Sequence, residues 1–311
     1  MTPWLDRLFW VVVMGCVLLL FGPPDLFRHF WLHGAIVAPV FGAAAFVARA
    51  SWRGTILCSF AALFAFITVP AVLFEGTPSR SMAADEQAMT IVTFNLLKLG
   101  LAQDEKIAFL GDADADIILI QEGIGNDDVM ARLSALYPHH SACDGAPPCG
   151  LFIFSRFPLQ DGETIRHSGG GRVAIRARAD VNGVEVGIVN VHLPTPAHEG
   201  RVEGFDALEA AICRAGEAGP ASGPPLLVAG DFNTTQFTAA LFLCRPNEYQ
   251  ISRLGGYHAT WPWPLGPFGI PIDHIVLTFP FGFGPVTVPR RWLGSDHAPL
   301  VATVYVPAPV P

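Results

Sequence analysis

The feature that most restricts this chain is its beginning. Up to about Phe74 it is almost continuously apolar, and from about Glu75 onward it reads as an ordinary globular domain. Three stretches carry the apolar surplus, from about Leu8 to Gly22, Phe30 to Val47 and Thr55 to Phe74. A hydrocarbon core roughly 30 Å thick needs about 20 helical residues. We therefore read three transmembrane helices, with Trp4, Trp10, Trp31 and Trp52 near their ends as an aromatic belt. No amphipathic stripe suits them to the surface of a soluble fold. Two further apolar segments close behind the first argue against a cleaved signal peptide. The same skew accounts for a hydrophobic fraction of 51%, a charged fraction of 15% and a mean hydropathy of +0.41.

The short loops set an orientation. Arg49 and Arg53 lie in the second loop without an acid, which places that loop in the cytoplasm and the rest of the chain outside the membrane. The expected organisation is a membrane anchor over 1–74, a linker over 75–87 with Gly, Pro and Ser chemistry, and a globular domain over 88–311. Cys143, Cys149, Cys213 and Cys244 fall in that domain, an even count that suits disulfides outside the cytoplasm. Cys143–Cys149 and Cys213–Cys244 are the expected pairs, although three pairings of four cysteines are open.

Within the domain, Met89–Leu97 alternates and is rich in β-branched residues, so it is a strand. Asp116–Gln121 is a buried strand that delivers Glu122 at its end, and Leu151–Phe154 is another. Arg172–Ala179 and Val184–Val191 flank Asn182-Gly183, a hairpin signal. Pro225–Ala229, Ile272–Thr278 and Ala298–Val306 supply further strands. Helices are expected at Asp104–Gly111, at about Asn126–Leu136 with Asn126 or Asp127 as cap, and at Glu199–Ala215. Hairpin-linked strands mixed with helix-separated ones suit an α/β sandwich of two sheets.

Polar clusters stand at the ends of these apolar strands: Asn95, Glu122, His192, Asp231 with Asn233, Asp273, and Asp296 with His297. Strand ends converge on one rim of a sheet fold, where reactive groups belong. Glu122 and Asp296 offer hard oxygen ligands for magnesium or manganese. His192 and His297 can contact phosphate oxygens or move protons near neutral pH. Asp273 can hold a histidine in one tautomer, Asp231 can position or deprotonate water, and Asn233 can donate to developing charge.

The order TFNLL, IQEG, FSRFP, NVHLP, GDFN, PIDHI, GSDHAPL, covering Thr90 to Val306, resembles the endonuclease/exonuclease/phosphatase superfamily. The resemblance implies a four-layer α/β/β/α sandwich and a metal-dependent phosphoesterase. It implies that Glu122 binds Mg2+ or Mn2+ helped by Asn95 and Asp296, and that Asp231 and Asn233 handle nucleophile and phosphate. It further implies that Asp273 pairs with His297 and that His192 contacts phosphate. Apolar helices followed by this domain are similar to a membrane-anchored branch that includes a bacterial teicoplanin-resistance membrane protein. That branch implies a domain on the periplasmic or outer face of the bacterial cytoplasmic membrane.

Charge bears on the substrate. From Glu86 onward there are 14 Lys and Arg against 23 Asp and Glu, a formal net of −9. A nucleic-acid binder usually carries a basic stripe to displace counterions, so nucleic acid is not the expected partner. Arg172 is a candidate contact to an acidic headgroup, and the Trp261 and Trp263 loop, stiffened by prolines, is a candidate contact to a bilayer or an amphiphilic substrate. A phosphorylated lipid is the expected substrate and the lipid bilayer the expected partner. An extracytoplasmic nuclease or nucleotide phosphatase, and a catalytically silent membrane scaffold, are the alternatives.

Overall fold

A computed structural model describes residues 3–21, 28–47, 51–73, 77–145, 150–217, 224–237, 251–278 and 280–308. The chain forms two compact units, Met1–Glu75 together with Thr234–Leu241, and Gly76–Asn233 together with Phe242–Pro311.

In the first unit, helices form at the three apolar stretches: α1 (Pro3–Phe21), α2 (Trp31–Val47) and α3 (Ser51–Leu73). Cys16, Ala38 and Phe64 make their shared core, and the Trp31 indole donates to the Leu19 carbonyl at 2.6 Å. Asp6 and Arg53 form an ion pair between α1 and α3. The expectation of three transmembrane helices is corrected here: among the described residues, no helix is long and apolar enough to cross a membrane. In α1 the apolar run starts only after Asp6 and Arg7, leaving Leu8–Phe21, about 21 Å at 1.5 Å per residue. In α2 the 17 residues reach only about 26 Å and contain Pro39. The longest helix, α3, carries Arg53 in its first turn, and the side chains of its last turn lie outside the described residues.

The second unit is a pair of six-stranded sheets. One holds β1 (Glu86–Asn95), β2 (Ile117–Gln121), β3 (His139–Ala142), β4 (Phe152–Ser155), β11 (Gly282–Thr287) and β12 (Leu300–Pro307), in the order β11-β12-β1-β2-β4-β3. The other holds β5 (Leu159–Arg166), β6 (Arg172–Val181), β7 (Val184–His192), β8 (Leu226–Asp231), β9 (Ile251–Arg253) and β10 (Asp273–Thr278), in the order β5-β6-β7-β8-β10-β9. Alternation in β1 explains the layering. Met89 and Ile91 face the inter-sheet core with Leu119, Ile188, Leu227 and Ile275, while Val92 and Phe94 face outward. On that outer face lie α4 (Gln103–Asp112) and α5 (Asp127–Leu136), contributing Phe109, Leu110, Val129 and Leu133. The second sheet is covered by α6 (Arg201–Glu217), which packs on β5 and β6 through a face that buries Leu208 and Ile212. The sandwich is thus α/β/β/α.

Each sheet contains one parallel pair, β1 with β2 and β7 with β8. Parallel neighbours end on the same side, so Asn95 and Glu122 emerge together, as do His192 and Asp231. Gln121 donates across the sheets to Asn190 Oδ1 at 2.6 Å and within its own sheet to Thr93 Oγ1 at 3.1 Å. Asn190 in turn donates to the carbonyls of Ile120 (2.8 Å) and Phe152 (2.9 Å). This buried polar bridge fixes the sheets' relative register directly below the strand ends, because slipping it would leave amide groups unpaired. At the hairpin, Asn182 (φ 52°) and Gly183 (φ 91°) take the left-handed conformation that a two-residue turn requires.

Candidate active site

Strand register assembles the second sheet's half of the site. His192 and Asp273 are both Cα partners of Asp231, from β7 and β10 on either side of β8. Residues paired across strands project to the same face, so three reactive side chains stand abreast. Asp231 and Asp273 are buried. His297, from the turn before β12, donates through Nδ1 to Asp273 Oδ2 at 2.9 Å, and its Nε2 lies 3.7 Å from Asp231 Oδ2.

The electrostatics follow from this packing. Burial raises the pKa of Asp231, with neighbouring Asp273 adding to the rise against the opposing pull of His297 and His192. Burial presses His297 downward, but Asp273, Asp231 and Asp296 favour its cation, and it is pushed up to about 10. At neutral pH His297 is an imidazolium with Nδ1–H given to Asp273 and Nε2–H available. Asn233, at φ 49°, turns back to bond the site: its backbone N–H donates to Asp231 Oδ1 at 2.8 Å, and its amide to Leu193 O at 2.9 Å and Asp231 Oδ2 at 3.3 Å.

The first sheet supplies a more open half. Glu122 follows β2 at φ 52° and keeps some exposure, with its Oε2 accepting from the Lys98 backbone N–H at 3.3 Å. Asn95 joins the halves: its amide donates to Asp231 Oδ2 at 3.1 Å and to Glu122 Oε1 at 3.4 Å. The Nε2 of His192 lies 3.7 Å from both Glu122 Oε1 and Asp231 Oδ2. Asp296 is half-buried, and its Oδ2 accepts from the Trp261 indole at 2.9 Å. The backbone N–H of Trp263 donates to the Asp296 carbonyl at 2.6 Å, while its indole reaches Arg291 O at 3.0 Å. Both tryptophans therefore support Asp296. Arg172 is not brought to the cluster by its bonds; its Nε donates to Asp144 O at 3.1 Å. Cys143 is disulfide-bonded, whereas Cys149, Cys244 and the side chain of Cys213 lie outside the described residues.

Four further residues hold this arrangement. Buried Lys106 on α4 donates to Leu96 O and to Asn126 Oδ1, each at 2.7 Å. Asn126 donates to Leu97 O (3.0 Å) and Glu122 O (3.3 Å), so this pair ties the loop after Asn95 to the loop at Glu122. Asn126 occupies the expected cap position of α5, yet its side chain makes no capping bond because it serves this clamp. Burial lowers Lys106 to about 8. On the other side, buried Arg201 donates to Pro194 O and to Asn233 O (2.9 Å), tying the loop after His192 to the one after Asp231. Ser295 donates to Asn95 O at 2.7 Å and accepts from the His297 N–H at 3.1 Å. The sequence signal for the two cations was present: Lys106 falls on the buried face with Phe109 and Leu110, and Arg201 on the face with Gly204, Leu208 and Ile212.

The donor set fits a hard divalent cation. Asp231 and Asp273 face the His297 imidazolium, Glu122 stands 3.7 Å from His192, and Asp273 Oδ1 is buried without a hydrogen-bond partner. Asp231, Asp273 and His297 place ligand atoms within 4.8 Å of one another. Since His297 is cationic and its Nδ1 is engaged by Asp273, the cluster's cation-attracting part is its oxygen atoms.

Fold and site together define a two-sheet α/β hydrolase of phosphate esters. The chain belongs to the Endonuclease/Exonuclease/phosphatase family, whose model matches residues 92–297. Similar solved structures include the endonuclease/exonuclease/phosphatase from Bacteroides vulgatus, at 19% identity and TM-score 0.56 over 70% of this chain and 98% of that one. The mannosyl-6-phosphatase of Bacteroides thetaiotaomicron gives 16% identity and TM-score 0.56 over 70% and 99%. TDP2 from C. elegans gives 15% and 0.58 over 89% and 92%. At these identities the likeness shows the fold. No curated protein sequence matches the chain.

Proposed function

We propose that this protein is a magnesium- or manganese-dependent phosphoesterase acting on a lipid-linked phosphate or phosphodiester at the outer side of a bacterial cytoplasmic membrane. The observation that carries the chemistry is the buried Asp231 beside the Asp273-held imidazolium of His297. Asn95 and Glu122, with Asp296, would hold the cation, which when bound neutralises phosphate charge and polarises the ester. Asp231 orients water and takes its proton as the new O–P bond forms and the ester P–O bond breaks, its basicity strengthened by burial. His297 directs Nε2–H, and His192 a ring N–H, at non-bridging oxygens where charge develops. The departing alkoxide leaves as the alcohol after taking a proton from solvent.

The lipid reading is supported by the helical unit, which leaves Trp4, Trp10, Val11, Met14, Phe21 and Phe66 exposed. Such an apolar exterior suits contact with a bilayer, and it accords with the resemblance to the membrane-anchored branch. The acidic balance of the domain disfavours nucleic acid. The test is phosphate release by the detergent-solubilised protein with magnesium from lipid phosphates, lipid pyrophosphates, phosphodiester lipids and DNA, with Asp231→Ala and His297→Ala alongside. Release from a lipid that disappears in both variants supports the proposal. Cleavage of DNA alone would retain the mechanism and reject the substrate, and silence with every metal would reject both.

A further inference from the structure

Around the site mouth on the first sheet's side, the second unit leaves six large apolar side chains in solvent. They are Leu99, Leu101, Ile124, Leu265, Phe268 and Trp292, with Leu99 at 68% and Phe268 at 64% exposure. They come from four separate loops that the site itself draws together. Leu99 and Leu101 follow the Lys98 N–H that bonds Glu122, and Ile124 lies two residues beyond Glu122. Leu265 and Phe268 belong to the 3-10 turn Trp263–Phe268, whose first residue bonds the Asp296 carbonyl. Trp292 meets the Trp263 ring at 5.0 Å, and the loop it starts passes Gly294, which at φ +68° has no room for a side chain beside the Leu101 carbonyl. Large apolar side chains gathered on neighbouring loops are costly to leave in water and mark a contact surface.

Charge identifies the occupant. Elsewhere in this acidic unit Arg156 pairs with Asp114, Arg166 with Asp144, Arg176 with Glu163, and Arg178 with Asp161 and Glu185, while the exposed Arg132 on α5 enters no ion pair among the described residues. Lys98, Arg290 and Arg291 are exposed on the rim loops and enter no ion pair among the described residues. Acids do stand nearby at the first turns of α4 and α5 (Asp104, Glu105, Asp127 and Asp128), but they belong to helices and not to these loops. Aromatic and aliphatic side chains interleaved with unpaired cations are the composition that settles into an anionic lipid interface.

We propose that this rim docks on a bilayer bearing anionic headgroups, so that the site mouth opens at the lipid surface. The inference deepens the lipid-substrate reading and rests on different residues from the chemistry. It is tested by immersion instead of turnover, so the two can fail separately. A nitroxide is attached at Leu265→Cys or Phe268→Cys, and at Glu163→Cys on β5 as control, in the full chain with Cys16 and Cys58 replaced by alanine. Each protein is reconstituted in equimolar phosphatidylcholine and phosphatidylglycerol vesicles, after its thermal melt is matched to the parent's. Docking predicts that labels at 265 and 268 lose collisions with a water-soluble nickel chelate and gain collisions with oxygen, while the label at 163 does not. Repeating the measurement in phosphatidylcholine alone should restore nickel collisions at 265 and 268. Labels at 265 and 268 as open to nickel as the label at 163 would overturn the proposal, whether the rim then faces water or a protein.

Discussion

On the side of β1 and β2, Glu122 keeps contact with solvent, and its bonded neighbours are an amide and a backbone N–H. On the side of β8 and β10, Asp231 and Asp273 are buried abreast of one another against a single imidazolium. The first half is built like a place where a hydrated cation can enter and exchange ligands. The second is built to hold charge away from water: burial strengthens the basicity of Asp231, and the carboxylates of Asp273, Asp231 and Asp296 raise the proton affinity of His297 against the opposing effect of burial. Each half also rests on its own buried cation, Lys106 below Glu122 and Arg201 below Asp231, and in both cases the cation bonds carbonyls or amides of two strand-end loops. The difference teaches that fold symmetry has been used twice for positioning and only once for proton chemistry.

The comparison breaks most visibly at its buried side. Asp231→Asn and His297→Ala should each lower kcat by about 100-fold to 10,000-fold, measured as phosphate release at saturating magnesium. Next come the two clamps. Arg201→Leu and Lys106→Met should each reduce activity by about 10-fold to 100-fold, the scale for residues that orient ligands from behind. Arg201→Leu should act mainly on kcat, and Lys106→Met mainly on the magnesium concentration needed, a split that steady-state kinetics reads directly.

A pH profile sharpens the same contrast. Because His297 holds its proton up to about pH 10, the alkaline limb of kcat should fall near that value. Asp273→Asn removes the carboxylate that favours the cation, so the limb should move to lower pH, by about one to three pH units. The same proton contributes stability: with the folded pKa raised above the unfolded value, the contribution is complete below pH about 6.5 and lost as pH rises through about 10. Trp261→Phe is the mildest change. It removes one indole N–H from Asp296, a bond of about 1.5–3 kcal/mol to a charged acceptor, and should shift KM or metal dependence several-fold with kcat little changed.

Much of this was legible in the sequence because strand periodicity and strand-end polarity share one cause. Alternation in Met89–Leu97 and the apolar run before Glu122 locate β1 and β2 within a few residues, and the residues just after each run are the ones that reach the site. The short β3, the irregular β5 and β11 carry no comparable sequence pattern, since edge strands owe their pairing to neighbours more than to pattern. Lys106 and Arg201 carried a readable helical spacing, but their hydrogen-bond partners are distant in sequence. Hydropathy alone overstates the membrane spans because it does not weigh length: the apolar part of α1 is only about 21 Å long and the Pro39-containing α2 about 26 Å, short of a hydrocarbon core roughly 30 Å thick.

The most direct test of two unlike halves joined in one site is a magnesium titration of phosphate release with Glu122→Gln and Asp231→Asn compared to the parent protein. Glu122→Gln should need more magnesium for half-maximal rate and recover much of the parent kcat when saturated. Asp231→Asn should keep a similar magnesium requirement while its saturated rate stays low. If instead Glu122→Gln stays inactive at all magnesium concentrations with no change in metal binding, or Asp231→Asn is rescued by excess metal, the division of labour described here is contradicted.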